Sequence, residues 1–239
     1  MSRLRALSFD LDYTLWSLDQ VIERAESRVH DFLLQHYPVV GGRYSPELVL
    51  RERQRVLEAA PDIAHDLGEI RLRTFRRITD AAGAPAIAAR QAMRIFMAGR
   101  NDVQLYDETQ PLLDALHGRY TLIALTNGNA DVHRIGIGHY FAASILASDV
   151  GAAKPAAPMF QAAIRTANVA AAEMLHIGDD PETDVFGAAQ AGIGAVWLNR
   201  EGMPWPDRLP RVPYVEIRTL SQLPEIIQSP AGAFGRSAS

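Results

Sequence analysis

The chain has 239 residues, of which 48% are hydrophobic and 22% charged, and its formal net charge is −4 at pH 7. This length and composition can bury a substantial core, so the chain fits one large or two modest globular domains. It contains no cysteine, which excludes disulfides, thiolate metal sites and cysteine nucleophiles.

The charge balance also bears on partners and location. Interspersed charges of both signs disfavour nucleic-acid binding through a broad basic surface, so we expect a small-molecule partner. No stretch approaches the roughly 20 apolar residues needed to span a bilayer. Met1 to Arg5 leads into the first strand without the apolar core of a signal peptide. We therefore expect a cytoplasmic protein with no membrane partner.

The first predicted element is a strand over Leu4–Phe9, which two carboxylates follow, Asp10 and Asp12. A carboxylate at the end of a buried strand can attack phosphorus, and a second one can protonate the leaving oxygen and then activate water. Taken alone, Asp-x-Asp is more typical of a turn or a helix cap. Its interpretation therefore depends on the rest of the chain.

Residues 16–100 show helical spacing and no strand signal. One pattern comprises Val21, Ile22, Ala25, Val29, Phe32 and Leu33, and another comprises Leu67, Ile70, Phe75 and Ile78. Glycines and prolines near 41–42 and 82–85 separate helices rather than domains. We interpret this region as an inserted all-helical cap.

Two further motifs follow predicted strands. Thr126, Asn127 and Gly128 come after a strand over Thr121–Leu125, where a hydroxyl and an amide can cradle phosphate oxygens; Asn-Gly is also a common turn. Lys154 comes after a strand over Ser144–Ala147, and Pro155 suits the first turn of a helix beginning near Ala156. A lone lysine is more often solvated surface.

An acidic motif follows the predicted strand Met174–Ile177. It contains Asp179, Asp180 and Asp184, and magnesium prefers oxygen ligands of this kind. The alternative is that Asp179 or Asp180 caps a helix with Pro181 in its first position.

The last predicted elements are a strand over Gly194–Leu198, a short edge strand over Tyr214–Ile217 and a helix near Ser221–Gln228. The alternation of strands and helices predicts an α/β fold, a Rossmann-like parallel sheet flanked by helices. We assign residues 1–15 and 101–230 to this core and 16–100 to the cap. Residues 231–239 are predicted to be a disordered tail.

In this order, the four motifs resemble those of the haloacid dehalogenase (HAD) superfamily, whose members are mostly magnesium-dependent phosphatases. The inserted helices resemble its subfamily I, whose helical C1 cap closes over the active site. The resemblance implies that Asp10 is the nucleophile and Asp12 the general acid/base, and that both bind Mg²⁺, Asp12 through its backbone carbonyl.

The resemblance also implies roles for the later motifs. Thr126 and the Asn127 backbone N–H would hold phosphoryl oxygens, and Lys154 would stand between the nucleophile and the phosphoryl charge. Asp179 would be a further metal ligand, and Asp184 would bind the metal through water or orient Lys154. A contribution from Asp180 is left open.

The sequence features that bear on the identity of the substrate lie in the predicted cap. Residues 60–67 and the arginines that follow resemble the cap of bacterial HAD phosphatases acting on FMN and on 5-amino-6-(5-phospho-D-ribitylamino)uracil. The candidate substrate contacts are Trp16, His65, Arg73 and Arg76. Each has a structural alternative: hinge packing for Trp16, a capping box over 66–69 beside His65, and a solvated helix face for the arginines.

Three hypotheses follow. The first is a Mg²⁺-dependent phosphatase of FMN or a riboflavin-pathway phosphate, with sugar phosphates, phosphoglycolate and nucleotides as alternatives. The second is a haloacid dehalogenase, disfavoured because within the superfamily the carboxylate at Asp12 marks phosphatases. The third is a protein that binds a phosphometabolite or a protein partner without turnover. Both a monomer and a homodimer are compatible with the sequence.

Overall fold

The computed structural model describes residues 3–228, which form two compact units. The first, here called the sheet unit, comprises the residues up to Ser17, Gln104–Gly128 and those from Val132 onward. The second, the helical unit, comprises Leu18–Val103 and Asn129–Asp131. The tail predicted at 231–239 lies outside the described residues.

The helical unit is built from α1 (Val21–His36), α2 (Pro38–Gly41), α3 (Pro46–Ala59), α4 (Leu67–Ala81) and α5 (Ile87–Arg100). α1 buries four of the residues predicted from its spacing, Val21, Ala25, Val29 and Leu33, and leaves Ile22 and Phe32 half-buried. Phe75 and Phe96 pack edge to face in the same core, with ring centroids 6.3 Å apart. This unit therefore has a hydrophobic core of its own.

The local sequence sets where two of these helices begin. The Ser45 side chain accepts a hydrogen bond from Leu48 N ahead of α3, and Asp66 Oδ1 accepts one from Glu69 N at 2.8 Å ahead of α4. Both arrangements satisfy backbone donors that a first helical turn leaves unpaired. Asp66 therefore caps α4, as the capping-box interpretation predicted, but Asp66 N donates to Ile63 O rather than to the Glu69 side chain.

Within the described residues, the sheet unit contains a six-stranded parallel sheet of order β3-β2-β1-β4-β5-β6. Its strands are β1 (Ala6–Phe9), β2 (Thr121–Thr126), β3 (Ala143–Leu146), β4 (Met174–Gly178), β5 (Gly194–Leu198) and β6 (Val215–Ile217). The predicted α/β fold is confirmed. Strand runs made almost wholly of apolar residues were detectable because a parallel sheet is buried on both faces.

Helices and short turns connect these strands. The α-helices are α6 (Thr109–Leu116), α7 (Val132–Ile135), α8 (Ala147–Val150), α9 (Ala157–Ala167), α10 (Gly187–Gln190) and α11 (Leu223–Gln228). The placement of Pro155 in a first helical turn is wrong, since α9 begins at Ala157, with Ala156 as its cap and Pro158 in its first turn. Among the described residues, no helix combines the length and apolar character that a bilayer crossing requires.

The strand order determines where a site can form. β1 lies between β2 and β4, so the chain leaves β1 toward one side of the sheet and later returns on the other. In open parallel sheets, such a reversal creates a crevice at the carboxyl ends of the strands. Asp10 is the first residue beyond β1 and therefore lies at this crevice.

We expect Gly99→Ala to destabilise the helical unit. A Cβ at position 99 would lie 2.8 Å from Ala25 Cα, so α1 and α5 would have to separate. Overpacking of this kind costs about 1–3 kcal/mol, which exceeds the roughly 1 kcal/mol that alanine gains in helix propensity. Urea unfolding would measure the change, with Ala98→Ser at the exposed neighbouring position as the control. A more stable Gly99→Ala variant would contradict the tight packing of these helices.

Candidate active site

Asp10 is held at the carboxyl edge of the sheet by its own backbone. Its N–H donates to Ile177 O at 2.9 Å, which extends the β1–β4 pairing by one residue, and Asp10 is only 8% exposed. Tyr13 then turns the chain with a φ of 58°. After this turn, Trp16 Nε1 donates to Asp12 Oδ1 at 2.9 Å. The Asp12 carboxylate therefore has a fixed partner.

Lys154 joins two of the predicted carboxylates. Its Nζ donates to Asp10 Oδ1 and to Asp184 Oδ1, both at 2.6 Å, and Lys154 is 4% exposed. A buried ammonium is tolerated where carboxylates accept its protons. The structure thus brings together residues that are 144 and 30 positions apart in the chain.

A buried chain of hydrogen bonds supports Asp184. His176 Nε2 lies 3.1 Å from Asp184 Oδ1, and His176 Nδ1 lies 2.9 Å from Ser8 Oγ. Burial lowers the pKa of His176, so the neutral ring donates from Nε2 to the carboxylate and accepts the Ser8 hydroxyl at Nδ1. Ser8 and His176 face each other in the β1–β4 register. Sequence reasoning gave neither residue a role, although each is a polar residue within an apolar strand.

Glycine at position 178 allows this placement. A Cβ there would overlap the carboxyl group of Asp184, so a larger residue would push Asp184 away from the end of β4. Asp180 N donates to Asp184 Oδ2 at 3.1 Å and fixes the other carboxylate oxygen. Asp184 is therefore held from both sides.

Asp179 and Asp180 have different environments. Asp180 Oδ1 accepts from the N–H groups of Glu182 and Thr183 at 2.9 and 2.7 Å, so Asp180 caps the helical segment Pro181–Phe186. Asp179 Oδ1 accepts from Thr14 Oγ1 at 3.3 Å, and its backbone carbonyl accepts from Trp197 Nε1 at 2.8 Å. The capping alternative thus applies to Asp180.

The carboxyl groups of Asp10 and Asp179 lie in surroundings that raise their pKa values. Burial raises the pKa of Asp10 well above its ordinary value, and Asp184 and Asp179 add to this while Lys154 opposes it. Burial, with a smaller contribution from Asp184, raises the pKa of Asp179 to about 7. Without an added cation, these two carboxyl groups therefore resist ionisation.

Asp184 and Lys154 form the charged pair. Burial opposes the ionisation of Asp184, but Lys154 and His176 outweigh burial and hold the pKa of Asp184 well below its usual range. Burial likewise favours a neutral amine at Lys154, but Asp10 and Asp184 raise its pKa above the ordinary value. Lys154 is therefore an ammonium at neutral pH.

The three carboxyl groups fit a divalent cation, which would favour their ionised forms. Asp10, Asp179 and Asp184 each offer a carboxylate oxygen, and these atoms lie within 4.8 Å of one another. Mg²⁺ takes oxygen ligands at about 2.0–2.1 Å in an octahedron, so opposite ligands are about 4.2 Å apart and only small side-chain movements are needed. The donor set fits Mg²⁺. The predicted contribution of the Asp12 carbonyl stays a prediction.

The predicted phosphate-binding residues lie at the end of β2. Thr126 is buried, and its Oγ1 accepts from Gly128 N at 2.9 Å, which leaves the hydroxyl hydrogen to donate elsewhere. The Asn127 side chain donates to Lys154 O at 2.9 Å and accepts from Lys154 N at 2.6 Å. Asn127 thus positions the backbone of Lys154, a role that the sequence did not indicate.

Arg200 is a further residue without a predicted role. It donates to Glu108 Oε1 at 2.7 Å and to Thr14 O at 3.3 Å, and its guanidinium lies 3.8 Å from the centroid of the Tyr106 ring. Because Thr14 contacts Asp179, Arg200 supports the site through the backbone. A lone arginine in a loop gave no signal for this contact.

The candidate substrate residues are divided between the two units. Trp16, in the sheet unit, is fully buried and holds Asp12. In the helical unit, His65 is half-buried, Arg73 donates to Glu69 Oε1 at 2.7 Å, and Arg76 is exposed. Substrate contact by these residues stays a prediction.

Known proteins are similar to this chain in sequence and in fold. The family model of haloacid dehalogenase-like hydrolases matches residues 4–192. The chain is 35% identical over 235 residues to YigB of Escherichia coli, a 5-amino-6-(5-phospho-D-ribitylamino)uracil phosphatase. That alignment covers 95% of this chain and 98% of YigB.

Two solved structures are also similar. A 2-haloacid dehalogenase from Pseudomonas syringae pv. Tomato DC3000 has 38% identity and a TM-score of 0.88, covering 94% of this chain and 98% of that one. A HAD phosphatase from Thermococcus onnurineus has 26% identity and a TM-score of 0.64, with the same coverage. The similar proteins thus carry two different activities.

We expect Mg²⁺ affinity to fall as the pH is lowered. The pKa of Asp179 is about 7 in the metal-free protein, and a carboxyl group must lose its proton to bind the ion. Affinity should therefore be about tenfold weaker at pH 6 than at pH 8, with proton release on binding near pH 7. Calorimetry in buffers of different ionisation enthalpy would measure both.

Asp179→Asn provides the control for this prediction. It should bind Mg²⁺ weakly and remove the part of the proton release that arises at position 179. An affinity that is constant between pH 6 and pH 8 would show that Asp179 is already ionised before the ion binds.

Proposed function

Because the chain belongs to the haloacid dehalogenase-like hydrolase family, we propose that it is a Mg²⁺-dependent phosphatase that acts through an aspartyl-phosphate on Asp10. The observation that carries this proposal is the geometry around Asp10 and Asp12. One carboxylate is bound to the ammonium of Lys154, and the second, two residues later, is held by the Trp16 indole. A nucleophile and a separately oriented acid are what a phosphomonoester requires.

In the first step, an Asp10 carboxylate oxygen attacks phosphorus while the bond from phosphorus to the ester oxygen breaks. Asp12 transfers its proton to the departing oxygen, so the alcohol leaves neutral. In the second step, Asp12 takes a proton from a water molecule, which attacks the aspartyl-phosphate. Inorganic phosphate leaves and the Asp10 carboxylate is restored. Each proton that Asp12 gives up in the first step is thus recovered in the second.

The other residues stabilise the phosphoryl group. Lys154 lies beside the nucleophile and offsets the negative charge that approaches it, and the Thr126 hydroxyl can donate to a phosphoryl oxygen. Asp10, Asp179 and Asp184 would hold Mg²⁺, which supplies positive charge for the phosphoryl oxygens and favours ionised Asp10. Most of the rate would then come from positioning and electrostatics.

A dehalogenase is the second candidate, because the Pseudomonas syringae structure at 38% identity is of a 2-haloacid dehalogenase. Displacement at carbon releases a halide, which needs no proton from the enzyme. Asp12 would then be superfluous, although the structure gives its carboxylate a dedicated hydrogen bond from Trp16. This supports the phosphatase over the dehalogenase.

We favour a riboflavin-pathway phosphate as the substrate, either 5-amino-6-(5-phospho-D-ribitylamino)uracil or FMN. The support is the 35% identity to YigB along nearly the whole chain. Sugar phosphates, phosphoglycolate and nucleotides are the alternatives within the same chemistry. A cytoplasmic location, cap closure and the choice between monomer and homodimer stay predictions.

We expect Asp10→Asn to abolish phosphate release from every substrate. The measurement is a Mg²⁺-dependent panel of FMN, the ribitylaminouracil phosphate, nucleoside monophosphates, sugar phosphates and phosphoglycolate, with halide release from 2-haloacids alongside. Asp62→Asn, at an exposed position of the helical unit, is the matched control. Phosphate release that survives Asp10→Asn would refute the aspartyl-phosphate. Halide release without phosphate release would establish the dehalogenase. If neither phosphate nor halide is released, the result would favour a protein that binds its ligand without turnover.

Asp12→Asn should separate the two chemical steps. With p-nitrophenyl phosphate, the leaving group needs no acid, so Asp10 should still become phosphorylated, whereas water attack should slow by about two to four orders of magnitude. Rapid mixing should show a burst of about one p-nitrophenol per chain, followed by slow turnover. Continued turnover at the wild-type rate, with no burst, would show that Asp12 is not the base of the second step.

A further inference from the structure

The helical unit contains a cleft of about 590 Å³ whose lining is unusually basic. Its charged lining residues are Arg43, Arg51, Arg55, Arg77, Glu47 and Glu52. Four arginines against two glutamates leave a net charge of two positive units, whereas the whole chain carries −4. We call this feature the basic cleft.

A buried carboxylate organises the arginines. Glu52 is 6% exposed, and its Oε1 accepts from Arg55 at 2.6 Å while its Oε2 accepts from Arg77 Nε at 2.9 Å. Arg51 Nε lies 3.5 Å from Oε1. Three guanidinium groups therefore converge on one carboxylate, which restricts their motion before any ligand arrives.

The arginines keep donors for a ligand. The side chains of Arg51, Arg55 and Arg77 are 60%, 53% and 44% exposed, and each meets Glu52 through one of its nitrogens. A guanidinium has five N–H donors in a planar fork. Each of these groups can therefore bind Glu52 and a ligand in the cleft at once.

The arrangement exceeds what packing requires. One carboxylate needs one or two cations, yet Arg51 and Arg55 lie four residues apart on α3, a spacing at which like charges repel. Arg43 adds a further positive charge to the same lining. Excess charge that destabilises the free protein is expected where a ligand of opposite charge compensates it.

We propose that the basic cleft binds a phosphoryl dianion, either inorganic phosphate or the phosphate group of a small ester. Two negative charges match the net charge of the lining, and arginine forks bind phosphate through paired hydrogen bonds. Val40, Leu48 and Ile78 also line the cleft and can contact the carbon part of an ester. The site uses no residue of the candidate active site, so it does not depend on the proposed function.

The test is a titration of the full-length, ¹⁵N-labelled protein with inorganic phosphate and with phenylphosphonate, which is not hydrolysed. EDTA, constant ionic strength and a pH near 8 keep the active site free of metal and the ligands dianionic. Backbone and arginine side-chain signals of the cleft should shift and saturate. Arg51→Gln should weaken binding by about tenfold, because it removes one fork while Glu52 keeps Arg55 and Arg77.

Arg53→Gln is the matched control, since it removes the same charge from the same helix at a position outside the cleft. It should leave the affinity within twofold of wild type. Arg43→Gln is a second variant that removes a lining charge without a contact to Glu52, and it should also weaken binding. It keeps the test decisive if Arg51→Gln fails to fold.

The proposal would be overturned if the signals of the cleft do not shift, because no ligand would then bind there. It would also be overturned if Arg53→Gln weakens binding as much as Arg51→Gln, because the response would then be a general effect of charge. Tighter binding of phenylphosphonate than of phosphate would identify an ester as the ligand, through the apolar side of the cleft. Equal affinities would identify free phosphate. Both of these results support the site.

Discussion

The buried ammonium of Lys154 is the interaction on which the sheet unit depends. Its Nζ lies between Asp10, at the end of the first strand, and Asp184, which follows the fourth strand. The distance from Nζ to Oδ1 is 2.6 Å for each aspartate. Without Lys154, two carboxylates would be buried without a cation, at a cost of several kcal/mol. Asn127 positions its backbone, and His176 fixes the second carboxylate. The strand order brings these segments to one edge of the sheet.

Each unit contains a buried charged side chain that binds more than one side chain of the opposite charge, and the sign of the buried charge differs between the units. In the sheet unit, one buried lysine binds two carboxylates, and burial, with a smaller contribution from the neighbouring carboxylates, raises the pKa of Asp10 and Asp179. In the helical unit, one buried glutamate gathers arginines, and the excess charge is positive. A local excess of charge is stabilised when an ion or ligand of opposite sign compensates it. The first arrangement fits a divalent cation and the second fits an anion.

The sequence by itself determined the α/β fold and the motif residues that the structure brings together. Buried parallel strands consist almost wholly of apolar residues, so strands such as Gly194–Leu198 were found at their observed bounds. Asp10 and Thr126, at the ends of predicted strands, were recognisable because carboxyl ends of parallel strands meet at one edge. Lys154 and Asp184 were identified only because the four motifs, in their order, resemble those of the HAD superfamily.

The tertiary structure alone decided which residues support that site. Ser8 and His176 are 168 positions apart and meet only through the register of neighbouring strands. The contacts of Trp197 with Asp179 and of Arg200 with Thr14 likewise cross long stretches of chain. Side-chain geometry also decided between alternatives that the sequence left open, since Asp180 caps a helix while Asp179 joins the cluster. Local patterns record burial and turns, whereas pairings between distant segments arise only when the chain packs.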